Sequence, residues 1–254
     1  MTNNITKLFP ILAITALLSG CSLFGLDVQK DYDYKKVTLD PHINVSAKQF
    51  MDERANGTGA TAQGSADTIF RWMKKGLEYA GIDLAEYEKS GRTFIFLTND
   101  AIRVRNATTG VITAGLWFTY PIVDTVDPLT GLPKTTHPAR SWSEYTQQDV
   151  KNMFLYLIGN GEYNFEQLSN LNTKVQSLLP AASVMSTKST FGYTNAGKVF
   201  DQAGVFYLKL QTNADLTPII INNGNTSRSA GYIATNGPVH VWGAYPTMAV
   251  VGLP

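Results

Sequence analysis

Histidine is the side chain best suited to acid–base chemistry near neutral pH and to metal binding, and the chain has three: His42, His137 and His240. None has another histidine, a cysteine or a pair of carboxylates at a spacing typical of zinc ligands, so we predict no metal site. His137 stands in a proline-rich stretch and is expected to be solvated. His240, between two valines of a predicted strand, is expected to be a hydrogen-bonded structural residue rather than a catalyst.

Sequence patterns that mark common catalytic and ligand-binding loops do not occur: G-x-S-x-G, S-x-x-K, the P-loop and the EF-hand are all missing. Asn99 and Asp100 follow a predicted strand and are interpreted as helix-capping residues rather than as an active-site pair. Asp124 and Asp127 share a polar loop that could hold calcium weakly, although two such carboxylates more often form turns. We therefore predict no catalytic residue, no cofactor and no enzymatic activity. The alternative is an envelope hydrolase of unrecognised type, whose residues converge only in the fold.

Aromatic residues are concentrated in and beside the long segment from about residue 105 to 145. Trp117, Tyr120 and Trp142 are the candidate binding residues, because exposed aromatic faces stack on sugar rings and anchor protein interfaces. The alternative, which we favour for any single one of them, is that the ring packs the segment onto the core. The length of the segment and its aromatic density predict that it is the recognition surface for a protein or glycan ligand.

Cys21 is the only cysteine and follows a signal-like N-terminus. After Lys7, residues 8–20 carry no charge, a run too short for a transmembrane helix and typical of a secretory signal. The stretch LLSGC resembles the bacterial lipobox, in which an aliphatic and two small residues precede a cysteine. The resemblance implies cleavage before Cys21 and its lipidation; the alternative is an ordinary signal with a chance cysteine. Ser22 rather than aspartate follows, which by the same resemblance implies the outer membrane.

The composition of the 254-residue chain suits a packed core, with 44% hydrophobic and 16% charged residues. The formal net charge of +1 gives no electrostatic reason to expect nucleic acid as a partner. A single cysteine excludes an intramolecular disulfide bond. We expect residues 1–20 to be a lipoprotein signal peptide, 21–45 a tether and 46–254 a folded domain with a variable insertion at about 105–145.

The helices of this domain are predicted from apolar residues that recur with a helical period. A first helix is expected from Ser46 to Arg54. A second is expected along an apolar stripe of four residues: Ile69, Trp72, Met73 and Leu77. A third is expected in TQQDVKNMFLYLIG, with Thr146 as its N-cap.

Strands are predicted where the period shortens to two or where a short apolar run is bounded by turn residues. TFIFL (93–97) is apolar on both faces, which is typical of a strand buried on both sides. After Lys174, five strands are predicted in KVQSLL, VFYLKLQ, PIIINN, GYIATN and HVWGAY. TVDPLTGLPKTTHPARS, rich in proline, glycine and threonine, is predicted to be a loop.

Two segments resemble the fasciclin-like (FAS1) family. In the first, five residues match the strand pattern T-x-F-x-P-T-N-D-A-F that opens a FAS1 domain: Thr93, Thr98, Asn99, Asp100 and Ala101. In the second, four residues match its closing motif N-G-x-x-H-V-I: Asn236, Gly237, His240 and Val241. The resemblance covers about residues 46–250. It implies an α+β fold, a wedge-shaped β-sandwich with several helices packed around it.

The chain departs from the family pattern in the middle helix, where Tyr156-Leu157 stands in place of the usual Tyr-His. Integrin-type adhesion, which is linked to that region in animal members, is therefore not carried over. Leu97 and Ile102 also replace the usual proline and phenylalanine of the opening motif.

Together, the lipobox and fasciclin-like motifs imply a lipid-anchored binding or adhesion protein of the Gram-negative outer membrane. Its membrane contact would be the lipid on Cys21, and its ligand a glycan, a matrix component or another envelope protein. The main alternative is an accessory surface lipoprotein of a TonB-dependent importer. Thr68 and Thr125 each stand in an Asp-Thr-aliphatic triplet that resembles the O-glycosylation signal of some exported proteins, and Thr125 is expected to be the more accessible.

Overall fold

A computed structural model describes residues 40–57, 67–197, 203–213 and 217–246. Cys21, the predicted signal peptide and nearly all of the predicted tether lie outside the described residues. The folded unit begins at Pro41, slightly before the boundary predicted at residue 46. It does so because residues 41–45 pair with a later strand: Ile43 N–H donates to the carbonyl of Ile233 at 3.0 Å.

The regular elements of the described residues are numbered here in chain order. The α-helices are α1 (Ala47–Asn56), α2 (Arg71–Tyr79), α3 (Asn99–Ile102), α4 (Leu116–Thr119) and α5 (Gln147–Tyr156). Three 3₁₀ segments span Leu84–Glu88, Trp142–Glu144 and Thr190–Gly197. The strands are β1 (Arg92–Leu97), β2 (Val104–Arg105), β3 (Ile112–Ala114), β4 (Ile122–Val126), β5 (Pro133–His137), β6 (Ile158–Asn160), β7 (Thr173–Gln176), β8 (Val205–Leu210), β9 (Ile219–Ile221), β10 (Ser229–Ala234) and β11 (Gly237–Trp242).

The three predicted helices are confirmed, as is the capping that starts two of them. The hydroxyls of Ser46 and Thr146 accept hydrogen bonds from backbone N–H groups in the first turns of α1 and α5. In α2, Met73 and Leu77 of the predicted stripe are fully buried, and Trp72 is partly buried. The apolar stripes therefore hold these helices on the core.

A four-stranded sheet in the order β10-β11-β1-β6 forms the centre of the fold. Its middle pair is parallel, with Phe96 of β1 opposite Val241 of β11. Residues 94–97 have no exposed surface, which confirms the prediction of a strand buried on both sides. On the helical face, Phe96 packs against Phe70 and Phe50, with ring centroids 5.1 and 6.2 Å apart.

A second sheet, antiparallel in the order β7-β8-β9, packs beside β6. A Cβ atom on Gly159 of β6 would lie 2.6 Å from Cγ1 of Val175, so glycine permits the close approach of the two sheets. The five strands predicted after Lys174 are β7 to β11 and are all confirmed. The fold is thus a mixture of helices and several small sheets, of the predicted α+β class.

The prediction that TVDPLTGLPKTTHPARS is a loop is wrong for its first part, which forms the antiparallel hairpin β4–β5. Asp127 makes the turn, where its carboxylate accepts backbone N–H bonds from Leu129 and Thr130 at 2.8 and 3.1 Å. The turn-forming residues Asp127 to Gly131 therefore mark the tip of a hairpin rather than a long loop. The β-branched residues on either side of this tip pair with one another as β4 and β5. Among all described residues, no helix has the length and apolar character that crossing a bilayer requires.

Candidate functional site

The tryptophans of the insertion are part of the core. Trp117 is fully buried and Trp142 is 4% exposed. Edge-to-face contacts join Trp72 to Trp117 and Trp117 to Trp142, with ring centroids 5.1 and 5.4 Å apart. The prediction that Trp117 and Trp142 offer exposed faces to a ligand is therefore wrong. The favoured alternative, that these rings pack the insertion onto the core, is confirmed because α2 provides an apolar surface for them.

Tyr120 is half-buried, and its ring packs against another aromatic ring rather than standing free as a ligand-binding face. Its ring stacks on Phe191 with centroids 3.7 Å apart, and its carbonyl accepts a hydrogen bond from the Tyr145 hydroxyl at 2.7 Å. Burial raises the pKa of the Tyr120 hydroxyl. The structure therefore links Tyr120 and Trp142 through Tyr145 but does not join the three predicted binding residues in one exposed face.

A different part of the insertion forms an open cavity of about 510 Å³. We call it the arginine cleft and define it by five of its lining residues: Arg103, Arg105, Val111, His137 and Arg140. Its volume lies within the range of small-molecule sites. No carboxylate side chain lines it within the described residues.

The first wall of the arginine cleft is the β2–β3 hairpin with the end of α3. Arg105 Nε donates to the carbonyl of Gly110 at 2.9 Å, which fixes the guanidinium over the turn. Asn106 forms this turn by accepting backbone N–H bonds from Thr108 and Thr109 at 3.0 and 2.8 Å. Gly110 has φ +73°, and a Cβ there would lie 2.6 Å from the Nη2 atom of Arg105. The positive φ of the turn therefore favours glycine, and a Cβ at this position would also displace the end of the Arg105 side chain.

Arg103 is held by stacking on aromatic rings. Its guanidinium carbon lies 3.8 Å from the ring centroid of Trp72 and 5.6 Å from that of Trp117. Such contacts leave the edge of the guanidinium available for hydrogen bonding. Burial, with the nearby charge of Arg105, lowers the pKa of Arg103. Trp72 and Trp117 therefore help to position Arg103 at the cleft, although they do not offer their own rings to a ligand there.

The second wall carries His137, whose side chain is in contact with solvent as predicted, being 36% exposed, but is also hydrogen-bonded through both ring nitrogens. His137 Nδ1 lies 2.6 Å from Oδ1 of Asp124, and its Nε2 lies 2.8 Å from Oε2 of Glu144. The hydrogen bond with Glu144 raises the pKa of His137; burial opposes this shift, and Asp124 adds to it. A protonated ring can donate to both carboxylates, whereas a neutral ring can donate to only one.

Glu144 in turn holds the backbone beside Arg140. Its Oε1 accepts backbone N–H bonds from Arg140 at 2.7 Å and Ser141 at 3.1 Å. Partial burial alone would raise the pKa of Glu144, but these bonds and the one from His137 lower it. The second wall is therefore a charged network that sets the direction in which the Arg140 side chain leaves the chain.

The three guanidiniums of the arginine cleft lack carboxylate partners. Within the described residues, none of Arg103, Arg105 and Arg140 forms a salt bridge. Sequence reasoning missed this site. The one available signal was the spacing of Arg103 and Arg105, since residues two apart in extended chain share a face. Nothing local places Arg140 opposite them.

The polar residues of the fasciclin-like motifs have structural partners. Asn99 accepts a hydrogen bond from Trp72 N–H at 3.0 Å and donates to the carbonyl of Thr68 at 2.8 Å, so it caps α2, while Thr98 is the N-cap of α3. Asn236 Oδ1 accepts from Ala47 N–H at 2.8 Å. The prediction that Asn99 caps the helix after the strand is wrong, because Asn99 lies within α3 and its side chain instead caps α2, which precedes the strand.

His240 is fully buried between two partners, which confirms its predicted structural role. Its Nδ1 accepts from Gly231 N–H at 3.0 Å, so the ring is neutral with its proton on Nε2, which donates to the carbonyl of Tyr163 at 2.7 Å. Burial lowers the pKa of His240 to about 4.

Comparison with known proteins gives no match to a family model and none to a curated protein. Among the described residues, the arginine cleft has features of a ligand site, because its open cavity has three arginine side chains in its lining. Its cationic groups are positioned by stacking, by a glycine turn and by a charged network. Chemically, it can hold an oxyanion by hydrogen bonds from guanidinium groups.

Proposed function

We propose that this chain is a lipid-anchored, non-enzymatic binding protein of the bacterial outer membrane, whose fasciclin-like domain recognises a glycan, a matrix component or an envelope protein. The observation that carries the binding role is the arginine cleft. Three guanidiniums, which have no carboxylate partner among the described residues, line an open cavity of about 510 Å³. Unpaired like charges held close together disfavour the folded state, and a bound anion would offset that repulsion.

The relation of the two fasciclin-like motifs in space supports the family assignment. The opening motif lies on β1 and the closing motif on β11, and these strands are parallel neighbours at the centre of the main sheet. Asn236, from the closing motif, accepts a hydrogen bond at the N-terminus of α1. The motif residues therefore act together in building one sheet and its helical cover, as residues that define a fold would do.

The anchor is tested by fatty-acid labelling of the full chain in Gram-negative cells. Cys21→Ser should abolish labelling and release the protein from membranes, because the sulfur that carries the lipid is gone. Ser22→Ala leaves the cysteine in place and is the matched control. Continued labelling of Cys21→Ser would refute the anchor.

The binding role is tested with full-length protein in detergent, applied to arrays of bacterial and plant glycans and to matrix proteins. We expect saturable binding. Mass spectrometry of the eluted ligand should show that it is chemically unchanged. Steady conversion of the ligand to a product would instead support the envelope hydrolase.

The importer alternative is favoured by one observation, the exposed apolar tip of the β4–β5 hairpin. Leu129 is 94% exposed and Leu132 57% exposed. Exposed leucines on a rigid turn are suited to contact with another protein. Leu129→Ser with Leu132→Ser should release a co-purifying outer-membrane protein, if this alternative holds, whereas Thr130→Ser should not.

A further inference from the structure

The charges around the arginine cleft specify the sign of its ligand. Arg103 and Arg105 stand on one wall, and Arg140 and His137 on the other. The two carboxylates beside His137, Asp124 and Glu144, are both hydrogen-bonded to its ring, and Glu144 also accepts two backbone N–H groups. These carboxylates therefore bond to His137 and to backbone N–H groups rather than to the guanidiniums.

Two of the three guanidiniums, those of Arg103 and Arg105, are held in place before any ligand binds. Arg103 stacks on Trp72 at 3.8 Å, and Arg105 is tied through Nε to the carbonyl of Gly110. Each contact uses the face or the Nε of the group and leaves terminal N–H groups for a ligand. A planar carboxylate can accept two parallel bonds from such a fork, and pre-positioning reduces the entropy lost on binding.

Within the described residues, the rest of the lining combines Thr109 and Gly110 with three apolar side chains and includes no Phe, Tyr or Trp. Val111 is 56% exposed, and Ile112 and Pro138 lie beside it. This lining suits the C–H groups of a saturated ring better than a nucleobase, which requires an aromatic stacking partner. The net charge of +1 also shows that the chain has no large excess of the basic residues that bind a polyphosphate chain.

We propose that the arginine cleft binds an acidic saccharide, with the sugar carboxylate held between Arg103 or Arg105 and Arg140 and the ring over Val111. This rests on the proposed binding function and names its ligand class. The cavity volume of about 510 Å³ accommodates a few sugar units at most, so the cleft would read a short segment of a longer glycan.

The test is calorimetry of the full-length chain in detergent with uronate trisaccharides, of which trigalacturonate is the first probe. Its methyl ester is the matched control ligand, because it has the same sugar skeleton without the charges. We expect trigalacturonate to bind and the ester to bind at least about tenfold more weakly, since charge-assisted hydrogen bonds are lost. Equal binding of the two, or no binding by any uronate trisaccharide, would overturn the proposal.

Variants localise the binding to the arginine cleft. Arg140→Gln should weaken trigalacturonate binding about tenfold to a hundredfold, and Arg105→Gln should do the same. Arg71→Gln removes an exposed arginine of α2 outside the cleft and should have no effect. Circular dichroism checks that each variant is folded. Unchanged binding in folded Arg140→Gln and Arg105→Gln would refute the site.

Two further arms separate this proposal from others. Inorganic phosphate and vesicles with phosphate headgroups should compete only weakly; binding as tight as that of the uronate would refute the saccharide and indicate a phosphate ligand. Binding of a neutral glycan that these variants leave intact would remove the acidic-saccharide inference while the proposed function stands. If the chain binds uronate but is not lipidated at Cys21, the proposed lipid-anchored function is refuted while the acidic-saccharide inference stands.

Discussion

Trp117 and Trp142 are both buried but differ in one hydrogen bond, so replacing each with phenylalanine tests the packing beneath the arginine cleft. The Nε1–H of Trp142 donates to the carbonyl of Trp72 at 2.8 Å. The Nε1–H of Trp117 is buried and has no hydrogen-bond partner in the part of the chain that the structure describes. Both changes remove the same atoms from almost fully buried positions, so the cavity costs of the two variants are similar.

The difference between the two variants follows from that hydrogen bond. Trp142→Phe loses a bond with a net contribution of about 1 kcal/mol. Trp117→Phe removes an unpaired buried donor, whose desolvation penalty is roughly 1–3 kcal/mol. We therefore expect the free energy of unfolding to be lower in Trp142→Phe than in Trp117→Phe, by about 2–4 kcal/mol.

Urea unfolding of the full chain, followed by circular dichroism, measures this difference from the midpoints at equal m values. Trp242→Phe is a matched third variant, because Trp242 is fully buried and its Nε1–H donates to the carbonyl of Asn225 at 3.1 Å. It should resemble Trp142→Phe. Equal midpoints for Trp117→Phe and Trp142→Phe, or the reverse order, would refute the reasoning.

Two further predictions concern pH and helix packing. The pKa of His137 is raised above 6.5, so its stabilising bonds to Asp124 and Glu144 are fully present below pH 6.5 and are lost as pH rises through the higher folded value. The pKa of His240 is lowered to about 4, so stability falls as pH drops from 6.5 toward 4, by about 3 kcal/mol in total. Thermal unfolding across pH 4–9 should show a maximum between these losses, and His137→Gln should flatten only the alkaline side; an unchanged alkaline side would contradict the bonding of His137. Gly76→Ala would place a Cβ 2.5 Å from Phe154 and 2.8 Å from Trp142. The clash, of roughly 1–3 kcal/mol, should exceed a gain in helix propensity of about 1 kcal/mol and lower the urea midpoint, whereas an increase would show that the rings yield.

The central fold was predictable from sequence because its elements have strong local signals. The two-sided apolar run of β1 and the capped stripe of α5 were read correctly, since each is fixed by period and by neighbouring residues. The β4–β5 hairpin was missed because Asp127 and Gly131 are turn residues that also occur in irregular loops.

The arginine cleft depends on contacts between segments far apart in sequence, and so it had no local signal. Arg140 meets Arg103 and Arg105 only because the insertion folds back on α2. Likewise, His137 gains Asp124 as a partner through the pairing of β4 with β5. Predicting the burial of Trp117 required knowledge of the surface it packs against, which aromatic density alone cannot supply.

The parallel pairing of β1 with β11 has a consequence for when the chain can fold. The strand at the middle of the main sheet pairs with one that is synthesised long after it, and Ala47 is hydrogen-bonded to Asn236, 189 residues further along. Folds dominated by such distant contacts form slowly, because the chain entropy of closing the loop is lost before the contacts form. A nascent chain that lacks β11 therefore cannot complete the central sheet. Topology of this kind delays folding until β11 has been synthesised.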